Sequence, residues 1–311
     1  MRTAFGLKFA KGHLINSNVV MKSIRLLPAL LLVSAFVHAQ KLHIGVFGGV
    51  SAYNGDLVDK IFPANGATNA AFGATVTYEY NDHINIRAGY NYGKVGGNDK
   101  FSKSEELLKR NLSFETDIHD FTLVGEYSVF SLYERRYTPY FYAGIGAYHF
   151  NPYAYDRNGF KTYLKPLSTE GQGLAGYPES KAYSLTQVSI PLGIGFRFAI
   201  TDNIRVGVEG SYRKLFTDHL DDLSGNYADQ FDLLSARGAT AVDMAYRGDE
   251  SATGNPAYPA KGAQRGNAKN KDSYYFTGVH LMFRLGSLNG ENGGSRRSSR
   301  RSGMGCPANM L

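Results

Sequence analysis

Cysteine is nearly absent. Cys306 is the only one in 311 residues, so no intrachain disulfide and no cysteine-built metal cluster can form. Tryptophan is missing altogether, and the aromatic content rests on 22 tyrosines and 19 phenylalanines. Together with 36 glycines this is the profile of a β-rich chain with many turns. Net basic charge is missing from the body of the chain, although the total is +7. Residues 1–39 hold Arg2, Lys8, Lys11, Lys22 and Arg25 and no acid; residues 286–311 hold four arginines against Glu291. The stretch between them is left at −1. The net charge therefore gives no basic face of the kind nucleic acid requires.

Long apolar runs are also scarce. One exists, at residues 26–37, behind Met21 and the charged pair Lys22 and Arg25. It has the length of a signal-peptide core, and Ala39 is small at the expected cleavage position. It is too short to span a bilayer comfortably and has no stop-transfer flank. Residues 1–20 read as an upstream extension and 1–39 as the extension plus a secretory signal. No later segment offers ~20 consecutive apolar residues, which excludes a transmembrane helix after the signal. The exported chain is either soluble or a β-barrel.

Period-two alternation fills the body. Leu42, Ile44, Val46 and Val50 share one face; so do Phe72, Ala74, Val76, Tyr78 and Tyr80, and Ile84, Ile86, Ala88, Tyr90 and Tyr92. The pattern returns less cleanly at 120–130, and at 139–150 with two faces that are hard to tell apart. It is clear again from Val188 to Phe198, from Ile204 to Tyr212 and from Val279 to Leu285. These are about eight strands of roughly ten residues, as in a small outer-membrane barrel. The connections alternate in length. Residues 81–82, 131–136 and 201–203 are short links; 54–70, 94–112, 151–183 and 216–271 are long. A barrel with periplasmic turns and extracellular loops sorts its links this way, whereas a soluble sandwich has no reason to. The expected fold is all-β, a transmembrane up-and-down antiparallel β-barrel of about eight strands in the cell outer membrane. It occupies residues 40–286 and is followed by a basic disordered periplasmic tail at 287–311.

The glycine-rich stretch FGGVSAYNGDLVDK at 47–60 invites a phosphate-loop reading. Such a loop needs a strand, a glycine turn and then a helix N-terminus. Here Gly48 and Gly49 sit in a strand, Asn54-Gly55-Asp56 makes a tight turn, and no helical pattern follows.

Inward parity places Glu79, Arg87, Asp120, Glu126, Arg197, Arg205, Glu209, Arg213 and Arg284 in the lumen. An eight-strand barrel is just wide enough for side chains, so the reading carried forward is a salt-bridged plug, with a polar conduit as the other option. TDHLDDLSG at 217–225 gathers Asp218, His219, Asp221 and Asp222. Such a group could activate water or bind calcium; a loop structured by turn-forming aspartates is the simpler reading, because no second carboxylate from another strand can be named. Tyr78, Tyr80, Tyr90, Tyr92, Tyr127 and Tyr140 near strand ends read as interfacial girdles. The tail, with Arg296, Arg297, Arg300 and Arg301, could meet an acidic partner. No catalytic, cofactor-binding or metal-ligating residue is assigned.

Four ordered stretches carry a resemblance: GVFGGVSAYNGDL, KRNLSFETDIHDFTLVGEYS at 109–128, YTPYFYAGIGAYHFNP at 137–152 and FTDHLDDLSGNYAD at 216–229. Together they resemble a family of outer-membrane barrels from Bacteroidetes-type bacteria that includes the PorG component of the type IX secretion system. The resemblance covers roughly 41–230 and the last strand; the 230–271 segment and the arginine tail have no counterpart in it. It implies a non-enzymatic barrel without cofactors, surrounded by outer-membrane lipid and in contact with periplasmic secretion-machine proteins. Two function classes follow from the whole reading: a structural or interaction barrel, and a passive pore or transporter.

Overall fold

The computed structural model describes residues 41–58, 68–251 and 254–285. The signal segment, the tail with its four arginines, and Cys306 lie outside these. The strands in chain order are β1 (Leu42–Asn54), β2 (Thr68–Glu79), β3 (Ile84–Asn98), β4 (Ser113–Ser128), β5 (Tyr137–His149), β6 (Tyr153–Tyr155), β7 (Lys161–Tyr163), β8 (Thr186–Ala199), β9 (Ile204–Leu215) and β10 (Ser273–Arg284). Eight of them close into an antiparallel barrel in the order β1-β2-β3-β4-β5-β8-β9-β10, with β10 returning to β1. The closing register runs from His43 opposite Arg284 to Asn54 opposite Ser273. The small β6–β7 hairpin stands beside β4, where Tyr153 faces Glu115.

Alternation decides which side each residue takes. Outward positions form an exposed apolar belt that includes Val46, Phe72, Phe121, Ile145, Val188, Ile194 and Val208; Ile145 is 68% exposed, a value that only lipid can cover for isoleucine in a native barrel. Tyr80, Tyr127 and Tyr137 border the belt at one end, and Tyr90, Tyr92 and Tyr212 at the other. Tyr140 departs from the girdle expected of it. It points inward and is 1% exposed, because parity on β5 puts Tyr140, Tyr142 and Tyr148 in the lumen and Phe141, Ala143 and Ile145 outside. Both faces of β5 are aromatic or small, which is why its sequence does not separate them. Room for the inward rings comes from β8. Gly193 and Gly195 lie opposite Tyr142 and Tyr140, and a Cβ on either glycine would fall 2.1 or 2.4 Å from the facing ring.

The short links are tight turns set by side chains. Asn81 Oδ1 accepts from the backbone N–H groups of His83 and Ile84 at 2.9 and 2.7 Å. Thr201 Oγ1 does the same for Asn203 and Ile204 at 3.2 and 3.0 Å. Both described chain ends of the barrel, Leu42 and Arg284, share this turn rim.

The strands are longer than the ten residues expected, reaching 16 in β4. The extra length continues past the belt at the long-loop end and walls in a second interior. Tyr53, Val95, Phe114, Ile118, Phe150, Leu220, Leu223 and Tyr274 pack there into an apolar core. The loops over it carry helices the strand pattern did not suggest: α1 (Glu105–Arg110), α2 (Gln230–Arg237) and α3 (Ala239–Ala245). Helix α2 starts at Asp229, whose side chain accepts from the N–H groups of Phe231 and Asp232. No helix among the described residues is long and apolar enough to cross a membrane.

Candidate functional site

The lumen inside the belt is the first of two polar regions. All nine ionisable groups expected there are paired. Arg87 Nε contacts Glu126 Oε1 at 2.9 Å and its Nη1 donates to Glu209 Oε2 at 2.8 Å. Arg197 Nη2 donates to Glu126 Oε2 at 2.9 Å, Arg205 to Glu79 at 2.9 Å and Arg213 to Asp120 at 2.9 Å. Arg284 sits 3.5 Å from Glu79. Aromatic rings complete the packing. The Arg197 and Arg87 guanidiniums lie over Tyr140 and Tyr142 at 4.2 and 4.5 Å from the ring centres, and Tyr140 donates to Glu209 at 2.7 Å. His280 bridges Thr75 at 2.8 Å and Arg87 at 3.3 Å. Since Arg87 can only donate, the facing His280 Nδ1 is the acceptor and the ring is neutral there. At the turn rim Tyr133 reaches under the lumen and donates to Glu79 at 2.8 Å.

The second region lies under the loop cap, where the segment 217–225 folds over the barrel mouth. Asp218, Asp221 and Asp222 are each no more than 3% exposed, and His219 stacks on Tyr183 with ring centres 4.7 Å apart. Turn formation explains part of this. Thr217 Oγ1 accepts from the His219 N–H, Asp221 Oδ1 accepts from the Leu223 N–H, and Asp222 adopts a left-handed φ of 64°. The rest comes from remote strands and loops, which supply the second carboxylates that local spacing could not name. Tyr53 at the end of β1 donates to Asp221 Oδ2, and Asp272, just before β10, stands 3.3 Å from the same hydroxyl. Asp272 Oδ2 also accepts from the Leu220 N–H at 2.9 Å. Asp222 receives Thr169 and Tyr183 at 2.5 and 2.8 Å.

Two arginines brace the cap, and both are committed. Arg265 pairs with Glu170 at 3.1 Å and donates to the Asp222 carbonyl at 2.6 Å. Arg110 clamps Asp99 through two bonds of 2.7 and 2.8 Å. Burial pushes the Asp218 carboxyl up to about 7 and Asp222 up to about 6, in the second case against the pull of Arg265. Burial, then the charge of neighbouring aspartates, raises Asp272 well above the usual carboxylate range; burial does the same for Asp221. Burial lowers His219. Among the described residues no group of His, Cys, Asp or Glu has the arrangement of a metal site. The cluster can hold protons and tie loops together.

A closed barrel with a lipid-facing apolar belt and every inner charge paired is a membrane-spanning β-barrel, the architecture of outer-membrane proteins. The chain belongs to the family described as Domain of unknown function (DUF6089), which its residues 22–243 match. No curated protein matches it. Among solved structures it is similar to the outer-membrane protein OprG of Pseudomonas aeruginosa, at 12% identity over 79% of this chain and 97% of that one, with a TM-score of 0.38. It is similar to Neisserial surface protein A at 8% identity over 78% and 97%, with a TM-score of 0.37. It is also similar to Ail, the attachment invasion locus protein of Yersinia pestis, solved with the heparin analogue sucrose octasulfate, at 11% identity over 78% and 97% and a TM-score of 0.35.

Proposed function

We propose that this protein is a non-enzymatic structural or interaction component of the outer membrane, and not a passive pore or transporter. One observation carries the reading. The lumen holds Arg197, Tyr140, Glu126 and Met282, each about as buried as a core residue at 1% exposure, cross-linked by the ion pairs described above. An eight-strand interior filled in this way favours a closed barrel over a water-filled channel. The test is conductance in a planar bilayer. Purified protein should give little steady current; large stable channels would restore the pore.

The finer proposal is a PorG-like role in the type IX secretion system, supported by the four ordered stretches between residues 45 and 229. In this reading the turn rim and both chain ends face the periplasm and the long loops face outward. Exposed Arg135 and Arg136 on the 129–136 turn, together with the tail at 287–311, would meet acidic surfaces of periplasmic secretion-machine proteins. Crosslinking in native cells tests it. A periplasmic partner should co-purify, less so at high salt and less so after deletion of 287–311. A barrel that returns only lipid would refute the secretion role and leave the fold untouched.

A further inference from the structure

The loop cap contains a group of carboxyls whose hydrogen-bond and charge balance cannot close without an added proton. Asp221 and Asp272 are 1% and 2% exposed and both face the hydroxyl of Tyr53, itself fully buried. That hydroxyl owns one hydrogen, and Asp221 Oδ2 takes it. Asp272 Oδ1 is then left against an oxygen lone pair at 3.3 Å. If Asp272 carries a proton, it donates to the Tyr53 oxygen and the chain Asp272 to Tyr53 to Asp221 is complete. Among the described residues, no lysine, arginine or histidine forms an ion pair with Asp221, Asp272, Asp218 or Asp56. The groups around them are mostly acidic. Asp56 and Tyr53 come from the end of β1 and the residues after it. Glu170 comes from the β7–β8 loop, and Asp218 and His219 from the segment after β9. The cations nearby are Arg110 and Arg265, already bound to Asp99 and Glu170, and the exposed Lys271. Asp218 adds to the imbalance, for both its oxygens are buried without a hydrogen-bond partner.

We infer that Tyr53, Asp221 and Asp272 form a proton-held clasp that fastens the 217–225 segment over the barrel mouth, and that loss of the shared proton releases this segment while the barrel stays closed. The clasp joins β1, the β9–β10 loop and the foot of β10, points 168 and 219 residues apart in the chain. Deprotonation places two adjacent carboxylates beside cations already paired with other carboxylates and the exposed Lys271, and the segment that can move is the loop, because Tyr53 is held on β1 opposite Tyr274 of β10. A cleft of about 430 Å³ lined by Asp56, Arg110, Arg265 and Asn267 opens on the Asp56 side of the cap.

Hydrogen–deuterium exchange of the full chain in detergent, corrected for the intrinsic pH dependence of exchange, tests the clasp. Protection across 217–225 should fall at least about tenfold between about pH 5 and about pH 9, with β8 and β9 inside the belt unchanged. Asp272→Asn keeps a donor toward Tyr53 without a titrating proton, so its cap should lose markedly less protection at the higher pH, keeping only the fall due to Asp218 and Asp222. Equal protection at both pH values in the unmodified protein overturns the inference, as does an Asp272→Asn profile that falls with the same midpoint. Restoration of protection at high pH by calcium ions would also overturn it, by making the cluster a cation site. Should Asp272→Asn fail to fold, the profile of the unmodified protein with and without calcium decides.

Discussion

The lumen meets each of its buried carboxylates with an arginine, whereas the cap does so for Asp99, Glu170 and Asp222 and leaves Asp218, Asp221 and Asp272 without an ion pair among the described residues. In the lumen Glu126 receives two arginines, Arg87 and Arg197, from strands on different sides of the barrel. Under the cap Asp221 and Asp272 receive a tyrosine and backbone N–H groups, and no cation. The scaffold accounts for the difference. Strands locked by two neighbours hold long side chains in fixed register, so an arginine can be aimed across the interior and its desolvation offset by two or three charged bonds. The cap uses its two arginines in the same way, on Asp99 and Glu170; Asp221 and Asp272 lie out of their reach, and a proton needs no such aim. The lumen is therefore expected to be indifferent to pH near neutrality, and the cap sensitive to it.

The largest effect should come from Glu126→Ala. It strips Arg87 and Arg197 of a shared carboxylate and is expected to cost about 3–5 kcal/mol of barrel stability. Denaturant unfolding in detergent, followed by the gel shift between folded and heated protein, measures it; a cost under about 1 kcal/mol would mean that water enters the lumen and solvates both arginines. Gly193→Val should cost about 1–3 kcal/mol by driving a side chain into the Tyr142 ring, 2.1 Å from where its Cβ must sit. Tolerance of valine there would show that the lumen is not filled.

The pH response of the cap comes next. A carboxyl raised in the folded cap stays protonated there at pH values where the unlatched loop has already ionised. Its contribution to cap stability is whole below the ordinary carboxylate range and fades as pH climbs through about 6 for Asp222 and about 7 for Asp218. Asp218→Asn removes one such loss and should make the cap about 1 kcal/mol tighter above neutrality, with no gain in acid. Proteolysis of the loops at two pH values reads this out, and an equal gain at both would place the effect in packing. The smallest change belongs to neither region. Asn81→Ala deletes two accepted backbone bonds in a turn, should cost about 1 kcal/mol in the unfolding assay, and should leave the pH profile of the cap unmoved.

Much of the barrel was legible because strand parity is local. Every charge placed in the lumen by counting alternate residues is there, and the long and short links fall where the pattern put them. The cap was not legible, since its contacts join Tyr53 to Asp221 and Arg265 to Glu170 across more than ninety residues with no period to announce them. One signal did exist. Tyr53 occupies inward parity behind Phe47, Gly49 and Ser51, three positions past Val50, the last exposed residue of β1, where a polar ring has to find a partner inside. Tyr140 was misread as a girdle residue because β5 alternates aromatic with aromatic, and only its facing glycines on β8 reveal the inner side.

Infrared difference spectroscopy at neutral pH tests the contrast most directly, since the C=O stretch of a protonated carboxyl is separate from that of a carboxylate. Spectra of the unmodified protein, Asp272→Asn and Glu126→Gln would be compared in the same detergent. The clasp requires a protonated-carboxyl band that shrinks in Asp272→Asn and is unchanged in Glu126→Gln. Absence of the band, or its loss in Glu126→Gln alone, would contradict it.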